Sequence, residues 1–193
     1  MKLGIPPSVP STGSPTYTLP VIYDPNTNKY VSESAAIAEY LDQTYTETPQ
    51  LFPPGTAALQ TAFVEMAWPS IALPLYFSVM SATGKKLNPP SAEFFRRTRE
   101  ETFGKTMEEL ATAENWKIFE DGLGKLKSAL EKENAGSDGF FLGDNITFAD
   151  LQIASALIWI RVVDEVAWCK VAKLHAGTWE RFLGRLAKYV VVH

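Results

Sequence analysis

A single cysteine, Cys169, occurs among the 193 residues, so no disulfide can form within the chain. That usage fits a reducing, cytoplasmic setting. Cys169 has no adjacent histidine to activate it and reads as a small buried residue. The two histidines, His175 and His193, follow no ligand spacing, and with one cysteine they make no metal site. Charge of one sign is also scarce. Eighteen Lys and Arg against 22 Asp and Glu give a net charge of -4, with no long like-charged block, which argues against a nucleic-acid partner. No apolar run reaches the ~20 residues that span a bilayer. The longest, Met66 to Met80, is interrupted by Pro69 and Pro74. The opening stretch to Tyr17 is rich in Pro, Ser and Thr and holds no signal-peptide core. Turn residues thin out after Gly55, which excludes a mostly β protein. Internal repeats and low-complexity segments are missing too.

What is present is an apolar fraction of 46%, enough for a sizeable core, in a length that holds one large domain or two small ones. The prolines at Pro6, Pro7, Pro10 and Pro15 predict a loop at the start. Leu19-Pro20-Val21 opens a strand. Asp24-Pro25-Asn26-Thr27-Asn28 is a turn cluster, and Lys29-Tyr30-Val31-Ser32 is the returning strand of a hairpin. Glu33-Ser34 opens a helix carrying Ile37, Leu41 and Tyr45 at helical spacing, which Thr48-Pro49 closes. Pro53-Pro54-Gly55 marks a linker. The domains are therefore expected at 1–50 and 56–193, joined by 51–55.

The second part reads as all helix. One long helix, Ala57 to Ser81, is expected to bend at Pro69 and Pro74, since each proline removes a hydrogen bond and crowds the preceding turn. Ser91 to Ala111 follows, with a charged face at Arg96, Arg97 and Arg99 that reads as solvated. Asn115 to Glu133 is amphipathic. A loop over 136–143 leads to Phe148–Val166, apolar nearly all round and so central and buried; Arg161 within it is expected to pair with a carboxylate. Two shorter helices, Trp168–Leu174 and Thr178–Tyr189, end the chain. Thr147 and Asp150 have the spacing of a capping box, with Ile146 and Leu151 at staple positions, worth ~1 kcal/mol at a helix start that water cannot reach.

The hairpin with Glu33-Ser34, followed far downstream by Thr147-x-x-Asp150, resembles the glutathione transferases. Tyr17-Thr18-Leu19-Pro20-Val21, Ser32-Glu33-Ser34-Ala35-Ala36-Ile37-Ala38-Glu39-Tyr40-Leu41 and the cap match that family in order and spacing. Tyr23-Asp24-Pro25 and Leu51-Phe52-Pro53 look most like fungal transferases related to etherase-type enzymes acting on aromatic compounds. The resemblance implies a mainly α fold with a small β part: a partial thioredoxin-like domain (hairpin plus helix), then an all-helical transferase C-terminal domain. It also implies about 50 residues of strand, helix and strand before the Leu-Pro-Val loop, a segment the chain is expected to lack. The family's activating serine, tyrosine or cysteine lies there, so no catalytic residue is assigned. The nearby hydroxyls of Ser14, Tyr17 and Thr18 are candidate substitutes upstream of Pro20. Without the segment, the hairpin is expected to leave an open apolar edge that promotes association.

The implied ligand is glutathione, as co-substrate, with no metal. Pro20 would be cis and aim the Val21 backbone at the cysteinyl part; the alternative is a trans-proline opening an edge strand. Ser34 at a helix N-terminus would hold the γ-glutamyl carboxylate and Glu33 the ammonium; the alternative is a plain serine cap beside a solvated glutamate. The reaction implied is thiolate attack on an apolar or aromatic electrophile, in a cytoplasmic homodimer serving detoxification. The electrophile site is expected between the domains, with Trp68, Tyr76, Phe77 and Trp116 as candidates by residue type and core packing as their alternative. Two further readings stay open: a non-catalytic carrier of glutathione or hydrophobic ligands with the same fold, and an interaction module of a larger assembly.

Overall fold

The computed structural model describes Ile5, residues 17–135 and residues 138–190. Ser14, His193 and most of the proline-rich start lie outside the described residues. The chain divides into two units, Met1–Ala58 and Leu59–His193, just beyond the Pro-Pro-Gly segment.

In the first unit, strands β1 (Val21–Asp24) and β2 (Lys29–Ser32) pair antiparallel, from Val21 opposite Ser32 to Asp24 opposite Lys29. Helix α1 (Ser34–Thr44) follows directly and buries Ile37 and Ala38. Asp24 is the knot of this unit. It is buried, and its carboxylate accepts from the Asn26 N–H (2.9 Å), the Thr27 hydroxyl (3.2 Å), the Tyr40 hydroxyl (2.5 Å) and the Tyr45 hydroxyl (2.8 Å). The Thr27 and Tyr40 hydroxyls also touch each other. One carboxylate thus fastens the hairpin turn to the far end of α1. The Tyr40 bond, ahead of the others, holds its pKa down at about 2. Asp42 does the same for the chain beyond, accepting from the Leu51 N–H (3.1 Å) and the Phe52 N–H (2.7 Å).

The second unit is helical, and its helices are shorter than the sequence pattern suggests. The expected Ala57–Ser81 helix is two, α2 (Ala57–Ala67) and α3 (Ala72–Lys86), meeting at 55°. The break lies at Trp68–Ile71. Pro74 bends nothing, because it sits in the first turn of α3, where an N–H has no intrahelical partner to lose. The expected Ser91–Ala111 helix also divides. Helix α4 (Pro89–Phe103) starts at the Asn88 cap, whose side chain accepts from the Ser91 N–H at 3.0 Å, and stops at Gly104 in the left-handed region (φ 64°). A short α5 (Met107–Leu110) restarts at Thr106, whose N–H donates to Glu109 at 2.8 Å. Helix α6 (Ala113–Asn134) is continuous.

Helix α7 (Phe148–Val163) is the central element, with Ile153, Leu157 and Ile160 almost fully enclosed. It ends three residues earlier than expected because Asp164 leaves the helix and caps α8 (Glu165–Lys173), accepting from the Ala167 N–H at 2.9 Å. Helix α9 (Thr178–Arg185) closes the core with Trp179, Phe182 and Leu183, and a 3₁₀ turn follows at Ala187–Tyr189. Two side chains correct the sequence reading. Cys169 is exposed on α8 rather than buried. Arg161 is exposed and lies over the Trp168 ring, 6.0 Å from its centroid, with no carboxylate partner among the described residues.

Helix α6 crosses the α2–α3 break at Gly122. A Cβ there would stand 2.4 Å from the Ser70 carbonyl oxygen and 2.9 Å from Ile71 Cδ1. Only glycine permits that approach, so this contact sets how close the break lies to α6.

Candidate functional site

Two of the four polar-site candidates, Glu33 and Ser34, stand at the start of α1; Pro20 precedes β1 and Val21 opens it. The Leu19–Pro20 peptide bond is cis, and Val21 begins β1 directly after it. Among the described residues β1 has one strand neighbour, β2. Glu33 occupies the N-cap of α1 at φ 72°, ψ 128°, a region that costs a non-glycine residue about 1–3 kcal/mol. Its side chain makes no cap hydrogen bond and instead accepts from the Thr18 hydroxyl at 2.9 Å. Ser34 is exposed as the first helical residue, where N–H groups lack intrahelical partners and the helix dipole favours an anion. The expected serine cap is therefore shifted by one position: the cap is Glu33, and Ser34 lies inside the first turn.

The second feature is a cavity of about 410 Å³ built entirely within the helical unit. Its walls include Trp68 and Ile71 at the break, Tyr76 on α3, Phe103 at the end of α4, and Gln152, Ala156 and Trp159 on α7. Trp68 and Tyr76, two of the four candidates by residue type, line it. Phe77 and Trp116 do not line it. Phe77 backs the wall, edge-on to Phe103 at 5.1 Å. Trp116 packs on Phe119 at 5.6 Å and donates its indole N–H to Glu120 at 2.7 Å. Phe103, Gln152 and Trp159 were missed because they come from helices that only tertiary packing brings beside α3. The arginine cluster on α4 divides. Arg96 bonds Glu100 (2.8 Å) and Glu108 (2.9 Å), whose carboxyl it holds at about 2, while Arg99 turns to the Tyr76 hydroxyl (3.0 Å).

Comparison with known proteins gives a consistent result. Residues 4–49 match the glutathione S-transferase N-terminal domain family and residues 58–189 the C-terminal domain family. The chain belongs to the glutathione transferase family. A glutathione S-transferase-like protein of Aspergillus flavus, ustS, is 30% identical over 194 residues, spanning 91% of this chain and 68% of that protein. Glutathione transferase GSTFuA3 of Phanerochaete chrysosporium superposes with a TM-score of 0.92 at 44% identity, covering 97% of this chain and 77% of its own. CsGST63524 of Ceriporiopsis subvermispora, solved in complex with glutathione, gives 0.90 at 39% identity over 97% and 78%. The relatives are fungal transferases, and the fold is the mainly helical one expected, with its thioredoxin-like first part and all-helical second part.

In the helical unit the cap of α7 is a fully enclosed polar group. Thr147 and Asp150 are fully buried. The Asp150 carboxylate accepts from the Thr147 N–H (2.8 Å), the Thr147 hydroxyl (2.6 Å) and the Phe141 N–H (2.9 Å). Burial outweighs these bonds and pushes its pKa up. A second buried donor, the Ala149 N–H, is satisfied by the Gln60 side chain at 3.0 Å. This helix, which contributes to the cavity wall, is thus anchored at its start by Asp150 in its own first turn and by Gln60 from α2.

Proposed function

We propose that the chain binds glutathione through Pro20, Val21, Glu33 and Ser34 and joins the glutathione thiolate to an apolar or aromatic electrophile held in the cavity of the helical unit. The observation that carries this reading is the start of α1. A glutamate held at positive φ costs stability, and its side chain makes no cap bond that would offset it, reaching only the Thr18 hydroxyl. Its carboxylate, beside an exposed serine and open helix N–H groups, fits the two ends of an amino acid. Ser34 and the first-turn N–H groups take a carboxylate, and Glu33 takes an ammonium. The edge of β1 away from β2, without a strand neighbour among the described residues, suits an extended peptide at Val21.

The thiol of free cysteine has a pKa near ~8.5 and must be lowered for the thiolate to dominate at neutral pH. Thr18 does not supply that proton donor freely, because its hydroxyl is engaged with Glu33. Tyr17 is 65% exposed. This supports a second reading, a carrier of glutathione and apolar ligands without turnover. A cytoplasmic homodimer with a detoxifying role is the corresponding cellular proposal.

Calorimetric titration with glutathione and turnover of a chromogenic aromatic electrophile test both readings. Binding with turnover supports the transferase, and binding without turnover supports the carrier. Ser34→Ala is expected to weaken glutathione binding about tenfold, the worth of one hydrogen bond to a charged group. Unchanged affinity would overturn the proposed site.

A further inference from the structure

The cavity is walled mainly by rings and apolar side chains, and two of its polar groups are engaged within the protein. The Trp159 indole N–H donates to the Thr83 hydroxyl at 3.0 Å. The Ser155 hydroxyl donates to the Gln152 carbonyl at 2.7 Å. Tyr76 differs. Its hydroxyl oxygen accepts from Arg99 Nε at 3.0 Å, so one side of that oxygen is occupied, while its own hydrogen has no acceptor among the described residues.

Arg99 differs from its neighbours on α4. Arg96 and Arg97 each meet a glutamate one turn on. Arg99 has no carboxylate partner among the described residues. Its guanidinium lies 4.4 Å from the Phe95 ring centroid and gives Nη1–H to the Thr98 hydroxyl at 2.9 Å. A half-buried cation without a counter-charge, bonded to a phenol oxygen, polarises the O–H and strengthens it as a donor. The same charge disfavours a ligand group that is itself cationic.

We infer that Tyr76 selects the cavity's ligand by donating a hydrogen bond to an oxygen acceptor, a carbonyl group, on an aromatic molecule, with Arg99 as its positioning residue. The aromatic character follows from the walls, which carry several rings. The Tyr76 ring stands 5.9 Å from Trp159 and 6.1 Å from Phe103, and Trp68 faces the same space. The volume suits a two-ring compound. This inference rests on the proposal that the cavity is the ligand site, and it adds the chemical class of the ligand.

Equilibrium dialysis of the full chain against 2-acetylnaphthalene and 2-isopropylnaphthalene tests it, because the two differ by one oxygen in place of a methyl. The ketone is expected to bind about tenfold tighter, the worth of one charge-supported hydrogen bond. Tyr76→Phe is expected to abolish that preference while hydrocarbon affinity stays unchanged, and Arg99→Met to reduce it. Equal binding of both compounds by the unaltered chain would overturn the inference and leave the cavity reading intact. Binding of neither would overturn both. A preference that survives in Tyr76→Phe, with thermal stability maintained, would assign the donor to another lining group, the Gln152 amide or the Trp68 indole N–H, and refute the role of Tyr76.

Discussion

Two glycines on one helix are expected to respond in opposite directions to the same substitution. Gly122 and Gly124 both lie within α6. Alanine gains about 0.5–1 kcal/mol over glycine in a helix interior, because the unfolded chain has fewer conformations to lose. At Gly124 the added methyl would meet only His175 Nε2 at 3.5 Å, an ordinary contact, so the full gain should appear. At Gly122 it would stand 2.4 Å from the Ser70 carbonyl oxygen. Normal contact requires roughly another ångström, and the obstacle is backbone at the α2–α3 break rather than the end of a flexible side chain. Overpacking of this kind costs about 1–3 kcal/mol or more, which exceeds the propensity gain. Gly122→Ala should therefore destabilise by about 1–2 kcal/mol and Gly124→Ala stabilise by up to about 1 kcal/mol. Urea denaturation followed by tryptophan fluorescence reads both through the midpoint at constant slope. Gly122→Ala at or above the stability of the unaltered chain would refute the reasoning, since it would mean that the break can move away from α6 without cost. The displaced residues, Ser70 and Ile71, adjoin the cavity, so ligand affinity should fall in the same variant.

Removing the carboxylate at the start of α7 by Asp150→Ala leaves the Thr147 and Phe141 N–H groups without their acceptor and should cost about 2–4 kcal/mol by denaturant midpoint. Asp24 should show its contribution through pH. Its folded value, about 2, lies below the ordinary 3.8, so its stabilisation is present above the ordinary value and is lost as pH falls toward the folded one. The stability difference between the unaltered chain and Asp24→Asn should shrink as pH falls from about 5 to 2, and a constant difference would refute the assignment. Asp150 has the opposite sign. Its raised value makes its protonated form the better folded partner, so its titration favours folding at low pH and opposes it as pH rises through the folded value.

The hairpin and α1 were legible because they are written in local chemistry. Asp24 to Asn28 is turn composition, and Glu33-Ser34 precedes an apolar helical repeat. The hub role of Asp24 was not legible, because Tyr40 and Tyr45 reach it only once α1 folds back on the turn. A bend was legible at Pro69, inside the Trp68–Ile71 break; that the helix divides there was not, because apolar periodicity runs straight through it and the close approach at Gly122 comes from another helix. Other boundaries had signals that went unread. Gly104 followed by Thr106 and Glu109 spells a stop and a capped restart, and Asp164 is a cap inside an apolar run. At the cavity, residue type found Trp68 and Tyr76. It also favoured Phe77 and Trp116, since the choice among aromatic side chains on one helix depends on which neighbours cover them.

The buried Thr147–Asp150 knot separates two tasks along α7. Its first turn fixes where the helix stands, while Gln152, Ala156 and Trp159 further on shape the hollow. Exchanges at those later positions can re-tailor the hollow for a new guest without disturbing the anchorage. Such a division lets one scaffold diversify its chemistry by small edits, as long as the moorings stay put.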